Sequence, residues 1–145
     1  MNKIKFSVDG EPAPWGVYTR RTRSPSKDRL KTYQDLIRLA ARQAMVGREP
    51  HEGPVWLELH FYRGMPARAP RHTYTLLAWA ARHVLKRPDV DNLGKGCCDA
   101  MNGIVFLDDA QVVQKTVTKR FGRPARTICI VRFLEADDPY LGGSP

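Results

Sequence analysis

No apolar run in the chain approaches the roughly 20 residues that a bilayer span requires, because Arg or Lys interrupts every hydrophobic stretch. No secretory leader is expected either. Met1 to Phe6 alternates Lys3 and Lys5 with apolar residues and offers neither a continuous apolar segment nor a small-residue cleavage site, so the cytoplasm is the expected compartment, with no membrane partner. Cysteine is scarce. Cys97, Cys98 and Cys129 are an odd number, and the adjacent pair fits no zinc spacing, so all three are expected to be reduced, mostly buried thiols. Internal repeats, a Walker loop, a dinucleotide fingerprint and a nucleophile elbow are all absent, and no small-molecule cofactor is expected. With 42% hydrophobic and 27% charged residues in 145, wholesale disorder and fibrous repeats are excluded, and the length suits a single domain, 1–145.

Positive charge is in excess. Twenty-four Lys and Arg against 15 Asp and Glu leave a formal charge of +9, which suits a polyanion-binding surface. The excess is uneven: residues 1–48 hold 11 basic and 4 acidic side chains, and residues 49–88 hold 6 against 3. Residues 89–109 reverse the sign, with Asp89, Asp91, Asp99, Asp108 and Asp109 opposed by Lys95 alone. The basic side chains expected to meet nucleic acid are Arg20, Arg21, Arg23 and Lys27 in the stretch after Trp15, Arg68 and Arg71 in the loop 64–72, and Lys86 and Arg87 just before the acids.

Alternation of Ile4, Phe6 and Val8 with polar residues predicts a first strand that ends at Asp9-Gly10. Leu30, Tyr33, Ile37, Ala40 and Ala44 recur at helical spacing over 28–45, and Val55, Leu57, Leu59 and Phe61 alternate as a second strand in which His60 packs. A variable basic segment, 64–86, follows, with a short helix over 73–85. Asp91 or Asn92 is expected to cap a further helix that runs to Asn102 and stops at Gly103. Strands over 111–119 and 126–134 are expected to form a hairpin through Phe121-Gly122-Arg123-Pro124, ahead of a frayed tail, 135–145. The fold class implied is a two-layer α+β domain, a small mixed or antiparallel sheet covered by two helices.

If residues 89–91 are extended, the carboxylates of Asp89 and Asp91 point to one side, and on the helix beyond them Asp91, Lys95 and Asp99 share a face. Asp108-Asp109 arrives after a turn that could fold it back against the helix start. Unpaired carboxylates repel one another, and hard oxygen donors within a polyanion-binding surface suit Mg²⁺ or Mn²⁺ and metal-assisted phosphodiester hydrolysis. Lys95 could then stabilise the charge that develops on the phosphorane or help position the water. A structural reading of the same residues makes Asp91 a helix cap paired with Lys95, and Asp108-Asp109 turn formers. That reading corresponds to a non-catalytic basic nucleic-acid-binding module.

The string Arg87-Pro88-Asp89-Val90-Asp91-Asn92-Leu93-Gly94-Lys95, with Asp99-Ala100-Met101-Asn102-Gly103 and Leu107-Asp108-Asp109-Ala110-Gln111-Val112, resembles the RusA family of Holliday-junction resolvases. Gly10-Glu11-Pro12-Ala13-Pro14-Trp15 with Arg20-Arg21-Arg23, and Lys31-Thr32-Tyr33, extend the likeness over residues 4–134, with 64–86 outside it. The resemblance implies a small homodimeric endonuclease, often phage-encoded, that uses Mg²⁺ or Mn²⁺ to nick two symmetric strands of a four-way DNA junction in recombination and repair. It places the catalytic acids and metal ligands on Asp89, Asp91 and Asp109, with Asp108 as the uncertain neighbour, and the essential lysine on Lys95. Paired nicking requires two sites, so a dimer is expected through the outward face of the Trp56, His60 and Tyr62 strand and the 73–85 segment with Leu77 and Trp79.

Overall fold

A computed structural model describes residues 2–16 and 25–135, apart from the side chains of residues 25–27. The elements are β1 (Asn2–Asp9), α1 (Pro25–Ala44), β2 (Val55–Arg63), α2 (Thr73–Ala80), α3 (Val90–Met101), a 3₁₀ turn (Asp109–Gln111), β3 (Val112–Phe121) and β4 (Arg126–Phe133). The strands form one mixed sheet in the order β1-β4-β2-β3, antiparallel except where β3 runs parallel to β2. This is the α+β class expected, with three helices. No helix of the described residues is long and apolar enough to cross a membrane.

The expected hairpin between the last two strands does not form: β3 and β4 lie on opposite sides of β2. Burial explains the exchange. Every second residue of β4, from Thr127 through Cys129 and Val131 to Phe133, is buried, so β4 takes a central place, whereas β3 is largely exposed and takes an edge. Three side-chain rows cross the buried face: Ile4, Val131, Leu57 and Lys115; Phe6, Cys129, Leu59 and Val117; Val8, Thr127, Phe61 and Lys119. Two of the rows therefore end on a lysine at the edge strand.

Leu57, Leu59 and Phe61 are fully buried beneath Ile37 of α1 and Leu93, Cys97 and Met101 of α3. Each such side chain contributes about 1.5–3 kcal/mol through the apolar area it removes from water. Thr127, a polar side chain in this core, is hydrogen-bonded to the Tyr33 hydroxyl, which also lies 3.5 Å from Cys97 Sγ. The three cysteines are free and buried, as expected.

α2 is shorter than the 73–85 expectation and buries no residue of its own. Its end is closed by bonds from Arg82 N to Trp79 O and from His83 N to Ala78 O, which places Arg82 in the left-handed region at φ 66°. Gly103 takes the same region, φ 76°, after α3, at the stop that Asn102-Gly103 predicts.

Candidate active site

α3 begins at Val90, with Asp89 as its N-cap residue in extended backbone and its side chain making no capping bond. The expectation that Asp91 or Asn92 caps the helix is corrected here, and so is the picture of an extended 89–91 segment. Pro88 favours extended backbone just before it, so the helix starts directly behind, and Asp91 falls within its first turn. Beyond Val90, only Asp91, Asn92, Lys95 and Asp99 of α3 escape full burial. The predicted polar face therefore exists, and beyond Val90 it is nearly all that this helix shows to solvent.

Two cations fix the segment that leads into Asp89. Lys119 Nζ donates to the carbonyls of Lys86 (2.9 Å) and Pro88 (3.1 Å), and Arg63 Nη1 donates to the carbonyl between them, Arg87 O (3.1 Å). Three consecutive carbonyls are thus held from β2 and β3. Sequence reasoning passed over Lys119 because a lysine in an alternating strand reads as solvent-facing. Its place opposite Phe61, on the helix side of an edge strand, was the missing signal.

Lys95 does not pair with Asp91. Its Nζ lies 3.7 Å from the Trp15 ring centroid, and the Trp15 N–H donates to Asn92 O at 3.0 Å, so the loop after β1 is pinned along α3. Asp89, Asn92 and Trp15 line a cleft of about 1100 Å³ whose cationic lining residues are Arg29, Arg63 and Arg87.

β3 runs back along α3, with Lys119 at Pro88 and with Val117 and Lys115 beside Gly94. The Asp108-Asp109 turn that precedes β3 consequently lies toward the C-terminal half of the helix, near Asp99, and not against the helix start. The two acids of that turn differ. Asp108 accepts from Ala110 N at 2.9 Å, and this bond, ahead of one with Asp109, holds its carboxyl below the usual range. Gln111 completes the capping box: its Oε1 accepts from Leu107 N and Asp108 N, while its Nε2 donates to His51 O and Gly53 O, all at 2.8–2.9 Å. Asp109 is raised, first by the hydrogen bond that its protonated carboxyl donates to Asp108 and then by slight burial and the charges of Asp108 and Asp99. Nearby, burial pushes the Cys98 thiol up to about 12; Asp109 and Asp99 add to the effect and Lys115 opposes it.

Among the described residues no three acidic, histidine or cysteine side chains converge closely enough to hold a metal. The donor chemistry still suits Mg²⁺, which commonly takes only one or two carboxylates and completes its shell with water and substrate phosphate. None of Asp89, Asp91, Asp99 and Asp109 is committed to an ion pair among the described residues. Of the expected DNA contacts, Arg68, Arg71, Lys86 and Arg87 are exposed. Arg20, Arg21, Arg23 and the Lys27 side chain lie outside the described residues.

Residues 11–132 match the family described as endodeoxyribonuclease RusA. The chain belongs to that family. RusA membership covers most of the chain and carries Holliday-junction resolvase nuclease activity as the family's function. A relative, the uncharacterized protein YqaN of Bacillus subtilis (strain 168), is 29% identical over 147 residues, spanning 94% of this chain and all of that protein.

Proposed function

We propose that this RusA-family chain is a divalent-metal-dependent endonuclease that resolves four-way DNA junctions by paired symmetric nicks. The observation that carries the proposal is the Asp89 carboxylate, in no ion pair among the described residues, in a cleft that Arg29, Arg63 and Arg87 line together with Asp9, Glu11 and Asp28, on a segment whose carbonyls are held by Lys119 and Arg63. In this reading Asp89, Asp91 and Asp109 are the metal ligands, Asp108 being taken up by its cap; because Asp109 stands nearer Asp99 than the helix start, the reading requires the Asp108-Asp109 turn to close toward Asp91 when metal and DNA bind. A bound Mg²⁺ or Mn²⁺ supplies Lewis acidity toward the phosphodiester and lowers the pKa of water. Lys95 stands beside the reacting phosphate as a compact cation that stabilises the added negative charge. Arg20, Arg21, Arg23, Lys27, Arg68, Arg71, Lys86 and Arg87 neutralise the arms of the junction.

Two nicks need two active sites, so the working form is a homodimer. Two surfaces suit that contact. One is the outward side of β2 with Trp56, His60 and Tyr62, and the other is the side of α2 on which Tyr74 and Leu77 are each 66% exposed. Light scattering should give about twice the 16.5 kDa chain mass.

The test is cleavage of a synthetic four-way junction with Mg²⁺, against linear duplex and against EDTA. Asp89→Asn, Asp91→Asn and Asp109→Asn should each abolish cutting while junction binding holds or tightens, since each removes negative charge that faces phosphate. Variants that bind poorly and melt early would make the acids structural and the protein a non-catalytic binding module.

A further inference from the structure

The segment between β2 and α3 builds a second hollow, to which the endonuclease reading gives no task beyond the arm contacts of Arg68, Lys86 and Arg87. About 290 Å³ in volume, it is lined by Arg63, Arg68, Lys86 and Arg87 together with the rings of Trp79 and Phe121, and none of its described lining residues is acidic. α2 contributes Thr75, Ala78 and Trp79, which are spaced to lie on one side of a helix, while Tyr74 and Leu77 remain exposed. The hollow is tied to the sheet: Phe121 N donates to Arg82 O at 2.8 Å and Gly122 N to Arg63 O at 2.9 Å. Arg63 and Arg87 also line the cleft that contains Asp89, so the two cavities share a wall.

A cationic, acid-free hollow with two aromatic walls suits an anion joined to a planar ring, which is the chemistry of a nucleotide. Its volume suits a single nucleotide and not a duplex. We infer that this pocket takes one unstacked nucleotide of the DNA strand that crosses Asp89, its base against Trp79 and Phe121 and its phosphate toward Arg68 and Lys86. The inference rests on the endonuclease reading and adds a base-holding site beside the cutting site. A branch point is where such a base is most easily released, because unstacking costs least where pairing is already broken. The pocket would thereby set where, relative to the crossover, the strand is cut.

The test couples the pocket to single positions of the junction. Binding of the full-length Asp91→Asn protein, without divalent metal, is measured on a four-way junction and on a series in which each nucleotide near the crossover is made abasic in turn. Adding Trp79→Ala should weaken binding of the intact junction about tenfold, the size expected for loss of one base stack. That loss should vanish when one particular position is abasic, and Trp79→Phe should retain most of the binding. If Trp79→Ala melts early, Phe121→Leu, which keeps bulk without the ring, is read in the same way. Loss of equal size on every abasic junction, or no loss at all, overturns the pocket. Failure of the wild type to cut four-way junctions would instead overturn the endonuclease reading.

Discussion

Lys95 extends its ammonium over the Trp15 ring at 3.7 Å from the centroid, and Trp15 is itself bonded through its N–H to Asn92 on the same helix. An exposed lysine chain is ordinarily spread over many rotamers, and a cation–π contact of about 0.5–1 kcal/mol narrows them. Trp15→Ala should therefore lower the rate of junction cutting several-fold with little change in junction affinity. Trp15→Phe, which keeps a ring, should fall between. Equal rates in all three proteins would leave Trp15 a packing residue.

Lys119→Met removes both bonds to the carbonyls of Lys86 and Pro88 while keeping the chain's length. Small displacements of a reacting group cost up to about a hundredfold in rate. Single-turnover cutting should drop at least tenfold, with junction affinity changed far less. A rate within twofold of wild type would show that Arg63 alone positions Asp89.

Three buried acids set the alkaline limit of the fold. Burial raises Tyr33 and takes Cys98 to about 12, and a hydrogen bond to Cys97 together with burial raises Cys129. Each is neutral in the native protein at a pH where the unfolded chain has begun to ionise. Their contribution is full below pH 9 and is lost as pH climbs from there toward 12, so thermal midpoints should hold up to about pH 9 and decline above it. The thiols should also resist alkylation in the folded protein at pH 8 and react once it is denatured. A midpoint that stays flat to pH 11 would contradict this.

Junction affinity should fall steeply with salt, by a log–log slope of about −0.9 for each duplex phosphate neutralised. Replacing Arg20, Arg21 and Arg23 together with Ala should flatten the slope. An unchanged slope would move the main contact to Arg68, Arg71, Lys86 and Arg87.

Arg82 occupies a backbone region that costs an L-residue roughly 1–2 kcal/mol. Arg82→Gly should raise the melting temperature by a few degrees. A drop would mean that the Arg82 side chain, not the shape of the turn, holds α2 in place.

The strands were legible because burial on one face enforces a period of two: Val55, Leu57, Leu59 and Phe61 are buried as their alternation requires. α1 was legible through its apolar spacing. The order of strands was not, since adjacency in sequence favours a hairpin, and only burial reveals that β4 belongs inside the sheet and β3 at its edge. Within the site, the polar face of α3 could be read from the spacing of Asp91, Lys95 and Asp99. The partners of that face could not. Trp15 reaches it from 80 residues before Lys95, and Lys119 holds the segment that leads into the helix from 24 residues after Lys95; nothing local in their sequence marks either contact.

Gln111 has every hydrogen-bonding group of its amide engaged, two donors to Gly53 and His51 and one oxygen shared by two backbone N–H groups. Glutamate in its place would turn two attractions into repulsions between oxygens, so the position demands an amide and not merely a side chain of that length. In Asp108-Asp109-Ala110-Gln111 the two identical letters are therefore told apart by the fourth. The acid three residues before the glutamine, Asp108, is a fastener, and its neighbour Asp109 is the one outside the cap. The glutamine is thus the ruler from which the carboxylate outside the cap is counted.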